Sequence, residues 1–199
     1  MVKINPIKLQ GNWFEGFALD LHTVSSEFLG SDEFGHEIFY TKRSEIGELL
    51  YRLKYKSDKS TMEDIVETAV DFLVNQWKIS SIIDVILPVP SSKRRAFQPV
   101  INVGREISSK MMVPSHENFL KKDRETPELK NIFDYHERTE LLKDAFEIKN
   151  QSLVGKNILL FDDLYRSGAT CNSITKILYD KGRVGKVYVL ALTKTRSKT

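Results

Sequence analysis

The chain has 199 residues, a net charge of +3, and 41% hydrophobic and 29% charged side chains. That length carries one substantial core, and the composition is that of an ordinary globular protein rather than a disordered one. The single cysteine, Cys171, excludes an internal disulfide and, with four scattered histidines, a recognisable structural zinc site; the charge is too mild to argue for nucleic acid by itself.

No apolar run approaches the length of a membrane span, and the N-terminus lacks a basic-then-apolar leader, so a cytoplasmic protein with no membrane partner is expected. Residues 1–43 are the least readable part. Gly16 to His22 alternates apolar and polar residues, and Glu37 to Thr41 is rich in strand formers, with Gly30, Ser31, Asp32 and Gly35 between them. The segment reads as a hairpin or small meander, and its many aromatics predict that it packs on the rest. Residues 1–43 are therefore expected to form a β-rich hood subdomain on an α/β domain spanning residues 44–199.

Ser44 caps a helix with Ile46, Leu49, Leu50 and Leu53 on one face. Thr61 opens a second helix, in which Ile65, Ala69, Phe72, Leu73 and Trp77 recur at helical spacing. Ile82 to Leu87 is an apolar strand that must stop near Pro88, because proline cannot donate to a parallel ladder. Ser91, Ser92, Lys93, Arg94 and Arg95 follow, a cluster of hydroxyls and cations suited to a polyanion at the carboxyl end of a strand. Val100, Val103, Ile107 and Met111 trace a third helix, and His116 to Leu120 a short strand. Residues 121–145 are long, polar and weakly periodic, with Lys121, Lys122 and Arg124 among acids, which suits a functional or mobile loop.

The most informative stretch is Ile158-Leu-Leu-Phe-Asp-Asp-Leu-Tyr-Arg-Ser-Gly-Ala-Thr170. Four apolar residues closed by Asp162 and Asp163 have the composition of a buried parallel strand. Arg166, Ser167, Gly168, Ala169 and Thr170 then form a tight loop, and Ile174, Ile177 and Leu178 mark a helix that Gly182 ends. The start of such a helix offers unpaired N–H groups and partial positive charge, so the loop is built to hold an anion. Two carboxylates at the same edge cannot serve that anion; they require hydroxyls or a cation. A phosphate on one side and a diol or magnesium on the other describe a sugar phosphate. Lys186 to Thr193 supplies a last strand, and the order of elements from residue 82 to 193 predicts a mostly parallel twisted sheet flanked by helices.

The 158–170 run resembles the phosphoribosyl pyrophosphate motif of type I phosphoribosyltransferases, and "PVPSSKRRAFQPV" further resembles their ComF-like branch, with the usual Gly and Asn missing after Arg95. The resemblance implies the type I phosphoribosyltransferase fold and an enzyme of the glycosyltransferase class acting in nucleotide metabolism. It also implies Asp162 and Asp163 on the ribose hydroxyls, 166–170 on the 5-phosphate, and Ser91, Ser92, Lys93 and Arg94 on pyrophosphate. Lys121, Lys122 and Arg124 would belong to a flexible loop closing over the sugar. Mg2+ would be the cofactor, held through the substrate with Asp162 and Asp163, and phosphoribosyl transfer would go to an unidentified nitrogen acceptor; homodimers fit the same resemblance. ComF-like relatives carry a four-cysteine zinc module ahead of this domain, and the aromatic residues 1–43 stand in its place. The alternative is a regulatory or DNA-uptake-related protein that keeps the sugar-phosphate pocket without turnover, and nucleic acid enters only there.

Overall fold

The computed structural model describes residues 1–91, 97–122, 135–142 and 145–196, without the side chains of residues 135, 136, 138 and 140. The chain begins with β1 (Ile7–Lys8), β2 (Glu15–Leu21), β3 (Thr23–Ser31) and β4 (Glu37–Arg43). Then come α1 (Glu45–Tyr55) and α2 (Met62–Asp71), the latter running on through a π-helical turn to Gln76. β5 (Val85–Pro88) and α3 (Pro99–Met111) follow, then β6 (Leu120–Lys122), α4 (Tyr135–Leu142) and β7 (Phe146–Ile148). The chain closes with β8 (Ile158–Tyr165), α5 (Ala169–Asp180) and β9 (Val187–Lys194).

The central sheet has the order β1-β2-β9-β8-β5, and every pairing in it is parallel except that of β1 with β2. Helices cover both faces. Leu159, Phe161, Leu190 and Leu192 pack on one side with Leu50 and Leu53 of α1, Ile65 of α2 and Val103 of α3. Ile158, Leu160, Val189 and Ala191 pack on the other with Ile174 and Leu178 of α5. Strand residues alternate between these two layers, which is why β8 and β9 read as unbroken apolar runs. The predicted α/β class, with a mostly parallel sheet flanked by helices, is what the chain adopts.

This topology fixes where a ligand can sit. β5 and β8 are neighbours, yet β5 leads to α3 on one face while β8 leads to α5 on the other. The chain departs in opposite directions at their C-terminal ends, and such a switch point opens the crevice in which open α/β sheets bind ligands.

Residues 1–43 do not behave as one piece. β2 is a strand of the main sheet, paired in parallel with β9 from Glu15 opposite Tyr188 to Leu21 opposite Lys194. Only β3 and β4 form a separate antiparallel ribbon, with Phe28 opposite Phe39. The alternation at 16–22 is real, but it reports a half-covered strand of the central sheet rather than a hairpin partner for 37–41. Lys121 and Lys122 likewise stand in β6, opposite Glu147 and Phe146 of β7, rather than in a loop. The short Phe-Glu-Ile run of β7 gives no period of its own to read.

Candidate phosphate- and diol-binding site

The strand of the central motif is longer than predicted. β8 continues through both acids to Tyr165, because β9 supplies partners as far as Lys194. Asp162 and Asp163 are therefore interior to a strand, and the pleat sends them to opposite faces. Asp162 follows Leu160 to the α5 side, and its carboxylate accepts the backbone N–H of Asp163 at 2.8 Å. Asp163 follows Phe161 to the α1 side, where it pairs with Lys54 at 2.8 Å. In the free protein Asp163 is only 9% exposed. The sequence gives no sign of this pair, since Lys54 lies 109 residues earlier and reads as part of a basic helix end.

Burial and the adjacent Asp163 carboxylate push the Asp162 carboxyl up from 3.8 to about 7. The folded chain therefore holds a proton on Asp162 over a range where the unfolded chain has lost it. The contribution of this group to stability falls as pH rises from about 4 to about 7. Asp162→Asn is expected to abolish that slope, so the melting-temperature difference between variant and parent should grow in the variant's favour across this range. A constant difference from pH 4 to 8 would show that Asp162 titrates normally.

Beyond Tyr165 the chain turns in three residues into α5. Gly168 is the residue before the helix, with φ of 79°, and no side chain caps the helix there. The first turn holds no acidic residue, so its amides meet no negative side chain of their own. Ser167 Oγ accepts the Ala169 N–H at 3.5 Å, and Thr170 stands at the second helical position. Arg166 is exposed; Ser167 and Thr170 are half-buried. Cys171 is buried behind them, and burial pushes its thiol well up, in keeping with packing rather than reactivity.

The loop is braced from outside by residues that the sequence reading did not single out. The Tyr165 hydroxyl donates to the Gln10 carbonyl at 3.3 Å, and the Trp13 ring meets Tyr165 edge-on at 6.1 Å. Asn12 donates its backbone N–H to Asn172 Oδ1 at 2.9 Å and its side-chain N–H to the Asn172 carbonyl at 3.0 Å. The segment joining β1 to β2 thereby fixes the first turn of α5. Trp13 within a polar stretch was the one available hint.

The second predicted loop leaves the same edge. The Val89 N–H donates to the Phe161 carbonyl at 2.8 Å, so Pro90 and Ser91 depart at the level of Asp162. Ser91 is exposed there. Ser92, Lys93 and Arg94 lie outside the described residues, as does Arg124; Lys121 and Lys122 belong to the β6–β7 ribbon, and burial holds the Lys122 ammonium pKa below its ordinary value. The structure thus places Asp162, Asp163, Ser91 and 166–170 at the C-terminal edge of β5 and β8. It does not set the two carboxylates side by side.

A mostly parallel α/β sheet with an acid pair and a left-handed Gly before a helix at its switch point resembles the type I phosphoribosyltransferase fold. No family model matches the chain. It is 30% identical over 159 residues to the competence protein ComFC of Bacillus subtilis (strain 168), a match that covers 78% of this chain. Its "PVPSSKRRAFQPV" and 158–170 runs resemble the ComF-like branch, and the chain spans 62% of that relative's length. Among solved structures, adenine phosphoribosyltransferase from Trypanosoma brucei, in complex with AMP, pyrophosphate and ribose-5-phosphate, is 16% identical with a TM-score of 0.48, covering 94% of this chain and 74% of that one. The enzyme from Thermoanaerobacter pseudethanolicus is 13% identical with a TM-score of 0.46, covering 84% and 94%.

Proposed function

We propose that this protein binds phosphoribosyl pyrophosphate with Mg2+ at the β5–β8 crevice and transfers the phosphoribosyl group to a nitrogen acceptor, releasing pyrophosphate. The observation that carries the reading is the start of α5, turned by left-handed Gly168 three residues after a strand that carries two carboxylates near its C-terminal end. The 166–170 loop takes the 5-phosphate on backbone amides and on the Ser167 and Thr170 hydroxyls. The acids take the ribose hydroxyls, for which Asp163 must exchange its contact with Lys54. On this reading the pyrophosphate falls to Ser91, Ser92, Lys93 and Arg94.

No group of three or more carboxylate, His or Cys side chains able to hold a metal occurs among the described residues. Mg2+ fits this donor set as a partner of the substrate's phosphates, with Asp162 and Asp163 the carboxylates that would hold it. When bound, it neutralises charge on the departing pyrophosphate. The chain's own part is to orient the sugar and to place Asp162 and Asp163 where positive character on the ribose is favoured.

The relative's name, a competence protein, favours a second reading in which the pocket binds its ligand without turnover. Pyrophosphate release separates the two. With phosphoribosyl pyrophosphate, Mg2+ and a panel of nitrogenous bases and amines, the transferase reading expects release that depends on the acceptor. Ligand binding with release at the uncatalysed rate across the panel would give the second reading.

A further inference from the structure

On the α1 face of the same edge stands a cluster that the sugar-phosphate reading leaves unused. His22 follows the last residue of β2, and its backbone N–H donates to the Lys194 carbonyl at 2.8 Å. Its Nδ1 lies 3.2 Å from Thr193 Oγ1, and the Thr193 hydroxyl donates to the Asp163 carbonyl at 3.1 Å. The imidazole is thus tied to the backbone of the acid pair. Gly47 lets α1 approach this corner, since a Cβ there would come within 2.4 Å of the His22 carbonyl oxygen. That approach brings Lys54 and Tyr51 to it.

Arg43, the last residue of β4, lays its guanidinium over the Tyr51 ring at 3.7 Å. From the solvent side Glu48 reaches one of its terminal nitrogens at 3.3 Å. Its Nε is buried and has no hydrogen-bond partner among the described residues. A buried N–H without an acceptor is costly, and a guanidinium held flat on a ring offers a planar fork to a planar anion. Arg43, Lys54, Asp163 and Arg166 all lie close enough to act on His22, and Lys54 and Asp163 offset one another. Glu48 offsets Arg43 as Asp163 offsets Lys54, so what the corner offers an anion is the unmet Arg43 Nε–H rather than a net charge. Burial first, and then Arg43, Lys54 and Arg166, hold the His22 pKa below its ordinary value against the pull of Asp163, so the ring itself adds no charge near neutrality.

We infer that this corner is the acceptor side of the site and that it takes a nitrogen acceptor bearing a carboxylate, which Arg43 binds through its planar edge while stacked on Tyr51. The inference rests on the phosphoribosyl pyrophosphate reading for the place of the sugar, but not for the anion preference itself. Lys54 adds long-range attraction, and its release from Asp163 when the sugar binds would strengthen it.

The test compares acids with their amides: nicotinate with nicotinamide, anthranilate with 2-aminobenzamide, and orotate with orotamide. Each is titrated calorimetrically into the full chain, alone and after loading with phosphoribosyl pyrophosphate and Mg2+. At least one acid is expected to bind 10-fold or more tightly than its amide, and Arg43→Met to erase that preference while sugar-pyrophosphate affinity stays within two-fold. Arg43→Gln, which keeps a polar chain without charge, should behave alike and guards against a misfolded Met variant. Equal affinity of every acid and amide, no acid binding at all, or a preference that survives both substitutions would overturn the inference. Sugar pyrophosphate that fails to bind while an acid preference persists would instead overturn the phosphoribosyl reading alone.

Discussion

Asp163→Asn is expected to lose both stability and phosphoribosyl pyrophosphate affinity, although the side chain changes by one atom. In the free protein the carboxylate offsets Lys54 at 2.8 Å, and the two side chains are only 13% and 16% exposed. Removing one partner strands the ammonium in a half-dry site, which costs about 2–4 kcal/mol, less than for a fully buried pair because water still reaches it. Urea denaturation should show that loss, and Lys54→Met in the same chain should restore most of it. Affinity should fall by 10-fold or more in the single variant and stay low in the double one, because the ribose partner is absent from both. A double variant that regains affinity would mean that Asp163 acts only as the counter-ion of Lys54.

Gly168→Val should be comparably severe. The residue sits at φ of 79°, where a β-branched side chain is strained, and a Cβ would fall 2.4 Å from the Tyr165 hydroxyl oxygen and 2.9 Å from the ring carbon bearing it. A left-handed β-branched residue costs about 1–3 kcal/mol before any clash is counted. Relief of the clash would push Tyr165 off Gln10 and Trp13, loosening the brace on the first turn of α5. The expected outcome is a destabilised protein with no measurable phosphate binding. A soluble variant with parental melting temperature and affinity would show that the turn is not the phosphate cradle.

The parallel core was legible because β8 and β9 are buried on both faces, and continuous apolar runs carry that information locally. The turn at Arg166–Gly168 was legible for a similar reason, since a left-handed Gly before a helix leaves its mark in a few residues. What escaped were contacts between distant segments. Lys54 reaches Asp163 only because Gly47 lets α1 lie against the end of β2, and no periodicity reports such a pairing. The brace formed by Gln10, Asn12 and Trp13 was hidden in the same way. β2 was assigned to the hood because a half-covered strand at the side of a parallel sheet alternates like a hairpin strand.

Calorimetric titration of phosphoribosyl pyrophosphate at pH 7.5, with and without Mg2+, into the parent chain and into Asp162→Asn/Asp163→Asn tests the central claim most directly. The account predicts one saturable site in the parent, tightened by Mg2+, and its disappearance in the double variant while circular dichroism shows the fold retained. Identical binding isotherms for the two proteins, or no heat with either, would contradict it.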